Sequence, residues 1–268
     1  MVSRFGFNAR RDVPLEDSLL WAARHGFGFV DFQADLPPNN VQSFDKGRVQ
    51  AIREFCETHG IQLGIHTNSA VNNAEYVPLM SDAVDAYMNI NIKLAATLGA
   101  VWVITHGGYH FTSDAEQRWV ASLERLKRVV GWGEDYGVFI FLENHNKEPD
   151  DAEVHYIPST VAETARFFAA VASPLLRWSF NVAHAHLVPE GWAGFLDAFG
   201  VDGIGQVRLN DNRGDREVHL VPGEGNIDFA AVLAKLREKG YGGPLMLDFG
   251  TEEEKLIVRE RFAGMLSG

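Results

Sequence analysis

The chain has 268 residues, 46% hydrophobic and 22% charged, a balance that excludes disorder, collagen and coiled coil. Twenty-four Lys and Arg against 36 Asp and Glu give a net charge of −12, which disfavours nucleic acid, a partner held through Lys and Arg. The single cysteine, Cys56, excludes an intramolecular disulfide and zinc sites built on two or more thiolates, so a metal would be held by carboxylates and the ten histidines.

No apolar run approaches the length of a membrane span. The start, Met1-Val2-Ser3-Arg4-Phe5-Gly6, reads as a strand without a long apolar signal core, so the expected compartment is the cytoplasm. Short apolar runs then recur along the whole chain. They predict strands at Phe5 to Asn8, Phe29 to Phe32, Gln62 to His66, Val101 to His106, Val138 to Glu143, Leu176 to Asn181, Gly205 to Leu209 and Leu245 to Asp248. Most are near-continuous, as in strands buried on both faces, and are expected to fill an interior. Helical patterns lie between them. Trp119, Leu123, Leu126 and Val130 keep to one helical face, as do Phe229, Val232, Leu233 and Leu236. Gly26, Gly60, Gly99, Gly137 and Gly240 stand where helices should stop.

Eight units in one chain average about 34 residues each, which fits a single-domain α/β fold over 1–268, the closed (β/α)8 TIM barrel. An open doubly wound sheet is the alternative. It would carry a Gly-rich turn after the first strand, where this chain has Asn8-Ala9-Arg10-Arg11. In a barrel the active site forms at the C-terminal ends of the strands. Those ends read Asn8, Gln33, His66, His106, Glu143, Asn181 with His184, Arg208 with Asn210 and Asp211, and Asp248. Imidazoles and carboxylates that converge on one face are ligands for a divalent metal: Zn, Mn, Co or Mg.

Longer motifs carry a family resemblance. They are His66-Thr67, His106-Gly107-Gly108, Leu142-Glu143-Asn144, Phe180-Asn181-Val182-Ala183-His184-Ala185-His186, Arg208-Leu209-Asn210-Asp211 and Gly223-Glu224-Gly225-Asn226-Ile227-Asp228-Phe229. In this order the chain resembles, over essentially its whole length, the xylose isomerase-like barrels, which include sugar isomerases, epimerases and endonuclease IV. The isomerase branch implies one metal held by Glu, Asp, His and Glu at strands five to eight. This chain offers Glu143, Asn181, Arg208 and Asp248 there. Asn181 could ligate only through its carbonyl oxygen, and Arg208 cannot ligate at all. The nuclease branch implies other groupings: His66, His106 and Glu143 for one metal, and His184, Glu217 and His219 for a second, with Glu217 in place of Asp. Arg208, held between Glu143 and Asp248, would then stand in for the missing central metal.

The resemblance implies a sugar or sugar-derivative isomerase or epimerase that moves a proton next to a carbonyl. Glu143 and Asp248 would serve as base and acid, and Arg208 and a metal would stabilise the enediolate. His184 and His106 would hold hydroxyls or the metal. Asn8, Asn181 and Asn210 would bind a small sugar-like substrate. Two alternatives stay open: an endonuclease IV-like phosphodiesterase and a metabolite-binding barrel without catalysis. A barrel with exposed helices can form a homodimer, and the sequence names no seam for it.

Other polar residues have plainer readings. His25 and His59 fall in helix C-terminal turns, where a cation suits the dipole. Trp102 and Trp178 read as core, and Glu224 as a brace of its turn. His110, His145 and His186 lie near the site without a clear part in it. The acidic segment Glu148 to Glu153 is long enough for a lid over the active face.

Overall fold

The computed structural model describes residues 3–267 of the chain, so the reading of Met1 and Val2 as the start of a strand falls outside the described residues. Ten strands occur among them: β1 (Ser3–Asn8), β2 (Phe27–Phe32), β3 (Gln62–His66), β4 (Trp102–Thr105), β5 (Gly108–Phe111), β6 (Phe139–Glu143), β7 (Val154–Ile157), β8 (Leu176–Asn181), β9 (Ile204–Leu209) and β10 (Leu245–Leu247). Eight close a parallel barrel in the order β1-β2-β3-β4-β6-β8-β9-β10, with β10 back against β1. These eight are the predicted strands, with ends shifted by no more than two residues. The remaining pair, β5 and β7, was not expected. They form a small antiparallel ribbon in which Tyr109 faces Tyr156 and His110 faces His155.

Nine described helices connect the strands: α1 (Leu15–His25), α2 (Lys46–His59), α3 (Pro78–Leu98), α4 (Ala115–Tyr136), α5 (Val161–Ala170), α6 (Val182–His186), α7 (Gly191–Phe199), α8 (Phe229–Glu238) and α9 (Glu252–Ser267). The first four end at the predicted Gly26, Gly60, Gly99 and Gly137, each left-handed, with φ of 71° at Gly26 and 68° at Gly137. A side chain there would strain the turn that closes the helix. None of the described helices is long and apolar enough to cross a membrane.

The core is in two parts. A large apolar layer separates strands from helices, and a small cluster of Trp102, Ile104 and Phe141 fills the lower barrel interior. Gly64 makes room for it: a Cβ there would lie 2.0 Å from Trp102 Nε1. Above this cluster the interior is polar, against the expectation of apolar filling. Asp31, Ser179, Gln206 and Arg208 are all fully buried there. The reason is the two-residue alternation of a strand. In Leu176-Arg177-Trp178-Ser179-Phe180-Asn181 it turns Trp178 and Phe180 to the helix layer, where both pack on Phe195. Ser179 and Asn181 are turned to the interior, against Glu143.

Candidate active site

The C-terminal strand ends surround one cavity of about 680 Å³, within the range of small-molecule sites. Of the residues singled out from the sequence, Asn8, His66, His106, Glu143, His184, Glu217, His219 and Asp248 line it. Asn181, Arg208 and Asn210 do not. They lie beneath the lining, with exposures of 0%, 0% and 1%.

Arg208 is the centre of that floor. Its Nη1 donates to Asp31 Oδ2 at 2.8 Å and its Nη2 to Asp248 Oδ2 at 2.7 Å, while Nε faces Glu143 Oε2 at 3.5 Å. The guanidinium therefore lies between Glu143 and Asp248, but with a third carboxylate that the sequence did not reveal. Burial alone would lower the Arg208 pKa, and the three carboxylates around it raise it instead. Burial would likewise raise Asp248, but Arg208 and His219 hold it below the usual carboxylate range. At Asp31 burial prevails and pushes the carboxyl up to about 6, although Arg208, Trp102 Nε1 and Gln206 all donate to it.

These contacts bear on three expected roles. Arg208 does not reach the cavity, so it cannot donate to an enediolate oxygen; it acts on the carboxylates above it. Asn181 is wholly buried and its side chain is engaged within the protein. Its Oδ1 caps α6 by accepting from Ala183 and His184 backbone N–H, and its Nδ2 donates to Glu143 Oε1 at 3.0 Å. The Asn210 Nδ2 lies 3.1 Å from His219 Nδ1, and its Oδ1 is buried without a hydrogen-bond partner.

Two donor groups stand on the cavity wall, each with its atoms within 4.8 Å of one another: His66, His106 and Glu143, and His184, Glu217 and His219. Asp248, expected among the ligands, belongs to neither, and its Oδ2 accepts from Arg208 Nη2. In the first group the two Nε2 atoms are 3.4 Å apart and lie 3.7 and 4.0 Å from Glu143 Oε2. Burial, with Arg208 nearby, keeps His66 well below its ordinary pKa. Burial also takes His106 down to about 4, against the pull of Glu143. Both rings are therefore neutral at pH 7.

In the second group His184 Nδ1 lies 2.7 Å from the Asn144 carbonyl and its Nε2 3.4 Å from Glu217 Oε1. His219 Nδ1 lies 2.8 Å from the Asp248 carbonyl and Nε2 2.7 Å from Glu217 Oε1. Burial opposes a charge on His219, but the hydrogen bond to Glu217 and the Asp248 carboxylate push it up to about 9. Hydrogen bonds from both rings hold Glu217 well below the usual range. Rings fixed through Nδ1 that present Nε2 to a shared carboxylate suit a divalent ion. The nitrogen-rich donors fit Zn, Mn or Co better than Mg, which takes oxygen ligands.

Three features were weakly marked or missed in the sequence. His145 proves to line the cavity, its ring stacked between His184 and Tyr156 at 5.5 and 5.0 Å. Burial keeps it neutral too. Tyr156 arrives on the unexpected ribbon, and Lys147 to Pro149 line the cavity as the acidic segment begins. Asp211 is the pivot of the loop that carries Glu217 and His219. Its carboxylate accepts from the backbone N–H of Asn212, Gly223, Gly225 and Ile227 at 2.8 to 3.2 Å. Its place at a strand end was the available signal.

The plainer readings also have a place in the structure. His186 bonds Asn226, Glu224 accepts from Val221 N, and His110 faces His155 on the ribbon. Asp31 had one signal, an acid in the alternating register of Phe29-Val30-Asp31-Phe32-Gln33.

Comparison with known proteins gives the family. The model of the xylose isomerase-like TIM barrel matches residues 19–264. An uncharacterized protein of Methanocaldococcus jannaschii is 32% identical over 261 residues, covering 91% of this chain and 83% of that one. The fructoselysine 3-epimerase of Shigella flexneri is 20% identical over 269 residues, covering 95% and 94%. A crystal structure of a D-tagatose 3-epimerase-like protein superposes with a TM-score of 0.85 at 22% identity, over 99% of this chain and 98% of that one.

Proposed function

The chain belongs to the xylose isomerase-like TIM barrel family, and from that premise we propose that it is a sugar or sugar-derivative epimerase or isomerase. The observation that carries the reading is the pair of cavity-facing carboxylates, Glu143 and Asp248, joined from beneath by one buried guanidinium. They reach the cavity from β6 and β10, with β8 and β9 between them. Glu143 would remove the proton next to the substrate carbonyl, leaving an enediolate and a protonated Glu143. Return of a proton to the other face gives an epimer, and return to the neighbouring carbon gives an isomer. Asp248, ionised at rest beside Arg208, would serve that second exchange after taking a proton from solvent, while Glu143 returns its own to solvent. The neutral His106 and His145, both on the cavity wall, would hydrogen-bond hydroxyls. Either donor group could hold a divalent ion, which when bound would polarise the carbonyl.

The test is deuterium uptake from D2O into a panel of ketoses. Glu143→Gln should lower exchange by about 10²–10⁴-fold while substrate binding stays measurable. Full activity in that variant would sink the assignment. The second donor group favours a runner-up, metal-dependent phosphodiester hydrolysis. The net charge of −12 opposes it. Nicking of abasic-site DNA in the presence of zinc decides that reading.

A further inference from the structure

One side of the cavity has no part in the proton transfer outlined above. The ends of β1 and β2 bring Asn8, Arg11 and Gln33 to its wall. Gln33 is 8% exposed, and its Oε1 is buried without a hydrogen-bond partner, as is Asn8 Oδ1. Buried amides in folded proteins are ordinarily paired, so two unpaired ones on a cavity wall point to a ligand. Each offers one acceptor and an NH2 donor, a match for neighbouring hydroxyls. Arg11 makes no side-chain hydrogen bond or ion pair among the described residues, whereas Arg10 beside it is paired with Asp12 at 2.7 Å. Arg216 lines the same cavity from the loop after β9, and its guanidinium is likewise unpaired among the described residues. Strands β1 and β9 flank β10, so these two loops stand on either side of the one that follows Asp248.

We propose that this side of the cavity is a subsite for the non-reacting end of an anionic sugar, with hydroxyls on Asn8 and Gln33 and a terminal carboxylate or phosphate on Arg11 and Arg216. The proposal rests on the proton-transfer reading and narrows its substrate class. The remaining wall sets the direction of binding. Glu143 and Asp248, at the reacting end, repel an anion, which favours the charged end beside the arginines.

The test uses the full chain and matched pairs: a neutral ketose beside its terminal phosphate and its terminal carboxylate. Deuterium exchange and calorimetric binding are measured for each. The anionic member of a pair should show a KM or Kd lower by about tenfold or more, the scale of one charge-assisted hydrogen bond. Arg11→Gln should collapse that preference and Arg11→Lys restore part of it. Arg11 is exposed, so both variants should fold, and equal melting temperatures check this. Equal handling of neutral and anionic members by the wild type would overturn the subsite, as would an Arg11→Gln loss shared by both. Absence of exchange with every sugar, beside Arg11-dependent binding of anionic ones, removes the reaction and keeps the subsite. No binding of any anionic sugar at millimolar concentration removes the subsite whatever the exchange result.

Discussion

A guanidinium out of contact with water needs partners for its charge, and Arg208 has three carboxylates, on β2, on β6 and just past β10. One positive charge against three acids leaves the floor acidic, which favours a further cation on the cavity side. If Arg208 stands where a metal could, Arg208→His should bind one more equivalent of Co2+ than the wild type in a spectroscopic titration. Unchanged metal content would count against the substitution of charge for metal. Removing Asp31 leaves the guanidinium with two of its three carboxylates and Nη1 without its 2.8 Å acceptor. Asp31→Ala should lower unfolding stability by about 3–5 kcal/mol, seen as a lower urea midpoint at constant slope. The sequence made Glu143, His66 and His106 visible as polar residues ending or just following apolar runs. It did not make Asp31 visible, because that residue sits inside such a run and its partner Arg208 is 177 positions away.

The strands themselves were legible because apolar runs and glycine stops are local signals. The ribbon was not. Gly108–Phe111 and Val154–Ile157 are four residues each, and only their meeting above the barrel makes them strands. That meeting also brings Tyr156 against His145, so the element missed in the sequence carries part of the cavity wall. Inside the barrel, packing is set by small residues opposite large ones. A Cβ at Gly64 would strike the Trp102 indole, which is itself tied to Asp31 at 2.7 Å. Gly64→Ala should cost about 1–3 kcal/mol through overpacking, measured by denaturant unfolding. A neutral result would mean that the lower barrel interior is looser than its geometry indicates.

Over the whole molecule, buried imidazoles govern the response to pH. His66, His106 and His145 have folded-state pKa values below the unfolded value of about 6.5. The folded chain then binds fewer protons, so their contribution is full above pH 6.5 and lost as pH falls towards 4. His219 has the opposite sign. Raised to about 9, its contribution is full below pH 6.5 and lost as pH rises through 9. In chelator, the melting temperature should therefore peak near neutrality. The acid limb should be the steeper, because three buried rings outweigh Asp31, whose carboxyl at about 6 acts the other way, while the His219 side chain is 43% exposed and screened. Stability that rises from pH 6.5 down to pH 5 would remove the neutral-imidazole reading. By itself the sequence determined the barrel, its strand order and the set of polar residues at its C-terminal face, since periodicity, glycine stops and strand ends are written locally. Only the tertiary structure decided which of those residues meet the cavity and which lie under it. Barrel closure brings β2 and β9 to a common interior, and strand alternation turns Asp31 and Arg208 towards each other there, so Arg208 became the support of the site rather than a member of it.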